Sequence, residues 1–191
     1  MLADLITSKS RIKLLNVFLI SPYDMYHVRE LVRRTGDEIN AVRRELLYLE
    51  KRSVLVKEPR ANRVYYQLNK NYPFYFDLLR LGVKAIGLGQ EVLKNRAKIG
   101  KIKYAMFSGR FSRKLPKEPE DVDFLIVGTI VLPELAVLIR EEEKRLNIEI
   151  NYTVMSEEEF SFRKKKRDPF ILSILSGSRV MLIGDEESML S

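Results

Sequence analysis

The segment from His27 to Arg52, "HVRELVRRTGDEINAVRRELLYLEKR", restricts the fold more than any other stretch of the chain. Two runs with the period of an amphipathic helix flank Gly36, a residue type that readily adopts the left-handed conformation ending a helix. In the second run, from about Ile39 to Arg52, Ile39, Val42, Leu46 and Leu49 fall on one helical face. Asn40, Arg44, Tyr48 and Lys51 fall on the opposite face, with Arg43 on its flank. An earlier run, "SRIKLLNVFLIS", has helical spacing at Ile12, Leu15, Phe18 and Leu19. Ser10 is its expected cap and Pro22 stops it. Two helices across a tight glycine turn, the second with cations outward, describe a helix-turn-helix.

The residues that follow extend the pattern. "VLVKEP" and "RVYYQL" are short β-rich runs separated by "RAN", with Lys57, Arg60 and Arg63 around the expected tip. A hairpin directly after such a helix is a wing. Its cations reach phosphates while the helix lies in the major groove. The sequence therefore predicts a winged helix over residues 1–70 that contacts double-stranded DNA through Asn40, Arg43, Arg44, Lys51, Lys57, Arg60 and Arg63. The same scaffold also serves protein contacts, and the outward Leu47 and Tyr48 keep that alternative open.

Charge agrees with a polyanionic partner. The 191 residues carry a net charge of +8. Residues 1–69 hold thirteen Lys and Arg against eight Asp and Glu, whereas the longer remainder holds twenty-one against eighteen. The chain has no cysteine, which excludes disulfides, thiolate zinc sites and a thiol nucleophile. Its single histidine, His27, is expected to open a helix. No apolar run approaches the roughly 20 residues of a membrane span, and no leader pattern is seen, so a cytoplasmic protein without a membrane partner is expected.

Residues 71–100 read as a helical linker. Pro73 is placed to begin it, and Phe76, Leu79, Val83, Ile86 and Val92/Leu93 form an apolar stripe. That stripe suggests a homodimer contact. From residue 101, "IKYAMF", "VDFLIVG", "IEINYTV" and "RVMLIG" read as strands, with helices at "PELAVLIREEEKRL", "SEEEF" and "PFILSILSG". The order predicts an α/β sandwich with a mixed sheet, hence a two-domain α/β chain. Glu141–Glu143 and the basic run Arg163–Arg167 read as solvated helix faces, the latter with a phosphate-binding alternative.

On the turn Ser108–Gly109, the loop "RFSRKLPKEPE" and the pair Asp121 and Asp123, residues 101–191 resemble the minimal nucleotidyltransferase domain of the DNA polymerase beta superfamily. With the winged helix in front, nearly the whole chain resembles prokaryotic regulator-like proteins that fuse the two modules. The resemblance implies nucleotide binding at Ser108 and Gly109. It also implies catalysis and metal binding by Asp121, Asp123 and a third carboxylate, Glu149, with Mg²⁺ as cofactor. Residues two apart on a strand share a side, so Asp121 and Asp123 are expected to face one site. Two metals there polarise a phosphate and activate a hydroxyl.

The family pattern is altered here: Gly-Ser is reversed, Phe111 adds bulk, and no glycine lies between Gly109 and Asp123. The expected function is DNA-binding transcriptional regulation with a degenerate nucleotidyltransferase-like domain for sensing or assembly. The rivals are an active Mg²⁺-dependent nucleotidyltransferase recruited by its winged helix, and a protein-binding scaffold.

Overall fold

The computed structural model describes residues 2–116, 118 and 121–191. It is a mixed α/β protein with, among these residues, eleven α-helices, a three-stranded sheet and a mixed four-stranded sheet. The chain divides into two compact units at Ala85/Ile86. The stretch read as one linker over 71–100 is thus split between them. No helix among the described residues is long and apolar enough to cross a membrane.

In the first unit, α1 (Lys9–Ile20) is capped by Ser8, two residues before the expected Ser10; the Ser8 hydroxyl accepts the N–H of Arg11. The turn after α1 contains a short strand, β1 (Tyr26–His27), which sequence pattern did not indicate. His27 opens α2 (Val28–Thr35): its Nδ1 accepts the N–H of Glu30 at 3.2 Å. Gly36, at φ 68°, ends α2 in the left-handed conformation, where a side chain would be strained. Then come α3 (Ile39–Lys51) and a hairpin, β2 (Leu55–Arg60) and β3 (Arg63–Leu68), in register from Leu55 opposite Leu68 to Arg60 opposite Arg63. β1 adds to the outer side of β3, giving an antiparallel sheet in the order β1-β3-β2.

The core of this unit takes Leu14, Leu15, Phe18 and Leu19 from α1, Leu31 from α2, and Val42, Leu46 and Leu49 from α3. Against it packs α4 (Tyr75–Ala85), which starts two residues beyond Pro73 and approaches α1 closely where Gly82 meets Leu19.

In the second unit, α5 (Leu88–Lys94) and α6 (Arg96–Ile99) lead into β4 (Gly100–Ser108) and the single turn α7 (Gly109–Ser112). They are followed by β5 (Phe124–Ile130), α8 (Leu132–Leu146), β6 (Tyr152–Met155), α9 (Glu157–Lys165), α10 (Pro169–Ser176), β7 (Arg179–Ile183) and α11 (Glu186–Leu190). The sheet order is β6-β5-β4-β7, with β5 and β6 parallel and the other pairs antiparallel. One face packs Tyr104, Met106, Leu125 and Val127 against Phe160, Ile171 and Met189. Elsewhere in the core Phe107 stacks on Phe124 and on Phe111, with ring centroids 4.7 and 5.3 Å apart.

Two expectations change here. Part of the apolar stripe is used inside the chain: Leu79 and Val83 are buried in the first unit and Val92 in the second, while Phe76 stays 53% exposed, so less of it is open to a second copy than expected. Of the acidic triplet read as solvated, Glu142 is buried and pairs with Arg145 through two contacts of 2.6 and 2.7 Å, while Glu143 accepts the N–H of Ile150. A carboxylate so far from water needs such partners to offset its lost hydration.

Candidate functional site

Two regions gather the candidate residues. The first is the outer side of α3 with its hairpin. Asn40, Arg43, Arg44 and Lys51 are all exposed on α3, opposite the buried Val42, Leu46 and Leu49. Lys57, Arg60 and Arg63 are exposed on the hairpin. Lys57 is held 2.6 Å from Glu50 and Arg60 2.8 Å from Glu58, and these carboxylates raise both cations' pKa values above their ordinary ones. Arg43, Arg44, Lys51 and Arg63 make no ion pair among the described residues. Four cations therefore remain available to an external anion.

What positions α3 was not visible in the sequence. Glu45, only 5% exposed, lies on the inward side of the helix. Its carboxylate accepts from the Ser8 hydroxyl at 2.7 Å and from Arg11 Nε at 2.8 Å. The Arg11 guanidinium also lies 3.6 Å from the Tyr48 ring centroid, with Arg52 at 5.4 Å. The N-terminus of α1 is thus tied to the middle of α3 by an ion pair and a cation–π contact. At the turn, Lys13 pairs with Asp37 and holds that carboxyl below its usual pKa range.

The second region is a cavity of about 290 Å³ in the second unit, lined by Ser108, Gly109, Arg110, Glu118, Asp121 and Ser178 among others. Ser108 Oγ accepts the N–H of Phe111 and so caps α7. Gly109 is required by packing: a Cβ there would overlap Ser178 Oγ, and its N–H donates to the Ser178 carbonyl at 2.6 Å. Arg110 stands across the acidic groups, with Nε 3.0 Å from Asp121 and Nη2 3.1 Å from Glu118. Of the loop between this turn and Asp121, Lys117, Pro119 and Glu120 lie outside the described residues.

The three carboxylates expected to share a site are not brought together. Asp121 and Asp123 precede β5 and do not lie on it, so strand alternation does not aim them at one side. Asp121 lines the cavity. Asp123 is 5% exposed, and its Oδ2 accepts the N–H of Asn151 at 3.0 Å, joining the start of β5 to the segment before β6. Glu149 also lies before its strand, on the surface, and borders a separate depression with Glu143 and Asn147. No group of three His, Cys, Asp or Glu side chains among the described residues is arranged to hold a metal ion. The residues as placed do not fit a two-metal carboxylate site.

Phe111, expected to crowd the phosphate side, instead points into the core, 7% exposed on Phe107. Sequence reading missed Lys114, whose ammonium packs 4.4 Å from the Phe111 ring centroid; burial lowers its pKa from the ordinary lysine value. The basic run after Phe162 is partly committed. Arg163 pairs with Glu159 and Asp168, and Lys164 donates to the Met189 carbonyl, while Lys165, Lys166 and Arg167 are exposed.

Comparison with protein-family models, with curated proteins and with solved structures gives no match.

Proposed function

We propose that the chain is a DNA-binding transcriptional regulator. In this reading the first unit is a winged helix-turn-helix: α2 and α3 are the paired helices, β2 and β3 the wing. α3 enters the major groove of a duplex, and the wing follows the adjacent phosphates. The observation that carries the reading is the row of exposed cations with no ion-pair partner among the described residues, Arg43, Arg44 and Lys51, on the solvent side of α3 beside Arg63 of the hairpin. Such cations repel one another only mildly in water and together attract a polyanion.

The second unit is assigned a nucleotidyltransferase-like architecture used for ligand sensing or assembly. The cavity beside Ser108, Gly109 and Asp121 is of a size for part of a nucleotide. The engagement of Asp121 by Arg110, the burial of Asp123 and the place of Glu149 at a separate depression support a role other than metal-dependent transfer. No step through Mg²⁺ is derived for these residues.

The test is binding of a labelled mixed-sequence duplex by the full chain at low salt. Wild type binds, and the Arg43→Ala, Arg44→Ala, Arg63→Ala triple variant loses most of that binding while keeping its circular dichroism. A wild-type chain that binds no duplex under these conditions sinks the reading.

A further inference from the structure

The proposed DNA-facing side of α3 is not uniformly cationic. At about 100° per residue, Asn40, Arg44, Leu47 and Lys51 fall within an arc of about 60°, opposite the buried Val42 and Leu49. Leu47 stands inside this arc and is 57% exposed, the most exposed apolar side chain of the helix. Asn40, Arg43 and Arg44 lie one to two turns before it, and Lys51 lies one turn after it. Its apolar neighbour Tyr48 is already occupied by the Arg11 guanidinium. Leu47 is therefore a single free methyl-bearing contact ringed by cations and one amide. That is too small and too charged a surround for an apolar protein patch, which needs a contiguous area of some hundreds of Å².

We propose that Leu47 reads the C5-methyl group of a thymine in the major groove; the inference rests on the DNA-binding reading of α3. The major groove shows four distinguishable base-pair edges, and thymine alone among unmodified bases adds a methyl group there. Leucine has no donor or acceptor, so it discriminates by apolar contact and excludes edges that need a hydrogen bond. Its place between Arg44 and Lys51 sets that thymine next to the base or phosphate contacts those cations make. Asn40, about two turns nearer the start of the helix, is suited to a bidentate contact with adenine. The contacts of Asn40 and Leu47 thus favour A·T pairs at their own positions. The same methyl chemistry is offered by 5-methylcytosine, and the experiment separates the two.

The experiment starts from duplexes enriched by the full-length wild-type chain from a randomised pool. Each thymine of the tightest duplex is then replaced singly by uracil, which removes only the methyl. One replacement is expected to weaken wild-type binding about fourfold, the equilibrium equivalent of one buried methyl, and to leave Leu47→Ala binding unchanged. Leu47→Ala alone is expected to lose a similar factor on the thymine duplex and none on the uracil duplex. Leu47 is exposed, so the variant keeps its fold, checked by its unfolding midpoint. If every uracil duplex binds like its parent, the inference is wrong. If instead affinity rises only when a cytosine is methylated, the methyl read is that of 5-methylcytosine and the thymine assignment is overturned. If no duplex is enriched at all, the DNA-binding reading itself fails, an outcome distinct from binding without methyl dependence.

Discussion

Removing the Glu45 carboxylate should loosen the attachment of α3 to α1. Glu45→Ala deletes a charge-assisted hydrogen bond from Arg11 at 2.8 Å and one from the Ser8 hydroxyl at 2.7 Å. Breaking a fully buried ion pair by removing one partner costs about 3–5 kcal/mol. The Arg11 side chain is 23% exposed and keeps its cation–π contact with Tyr48, so it recovers part of this through water and the ring. The expected loss is about 2 kcal/mol, which for a unit of this size lowers its melting temperature by about 10 °C. Glu45→Gln keeps the shape and one acceptor and should lose about half as much. The assay is urea unfolding of the full chain followed by amide exchange in α1 and α3, because two units need not unfold together. A double-mutant cycle with Arg11→Ala isolates the pair. A coupling energy near zero, or a loss below about 0.5 kcal/mol for Glu45→Ala, would refute the claim that this ion pair fixes α3.

Other substitutions probe the second unit. Gly109→Ala forces a Cβ against Ser178 and should cost about 1–3 kcal/mol by overpacking, partly restored by Ser178→Gly, as read from thermal unfolding. Lys114 has its folded pKa below that of the unfolded chain, so its charge opposes folding at neutral pH, and that penalty fades as pH rises through the folded value toward 10.5. Lys114→Met should therefore melt above wild type at pH 7, with the gap closing by about pH 10; a variant less stable than wild type at pH 7 would show that the ammonium has a stabilising partner. Wild-type protein with labelled nucleoside triphosphate and Mg²⁺ should transfer little or no nucleotide, since positioning supplies much of the rate in such reactions; robust transfer abolished by Asp123→Asn would establish the enzyme reading.

Much of the architecture was legible because it is written in local periodicity. The helical runs ending at Gly36 and Lys51, the hairpin in register around its tip, and the four strands of the second sheet all follow from apolar spacing and turn residues. β1 escaped because two residues carry no period and pair only through the distant β3. Glu142 was read outward with its triplet because charge favours solvent, and Glu45 drew no reading at all; Arg145 and Arg11 make their burial tolerable. The Asp121–Asp123 spacing was sound arithmetic for a strand, but β5 begins one residue later, at Phe124, and Asp123 is turned to the Asn151 backbone. Phe111 looked like an obstacle in a phosphate loop because sequence does not say which side of a single helical turn meets the core. For β1, Glu45 and Asp123 the missing information was a long-range contact.

The central claim, that α3 and the hairpin bind duplex DNA, is tested most directly by measuring duplex affinity of the full chain as a function of salt. Each phosphate neutralised by Lys or Arg releases counterions and contributes about −0.9 to the slope of log affinity against log salt. Wild type should show a steep negative slope, and Arg63→Ala a slope shallower by about one phosphate on every sequence. Arg44→Ala should lose discrimination between the selected duplex and a scrambled one. Duplex binding that is absent at low salt, or that is indifferent to salt and to both arginines, would contradict the claim.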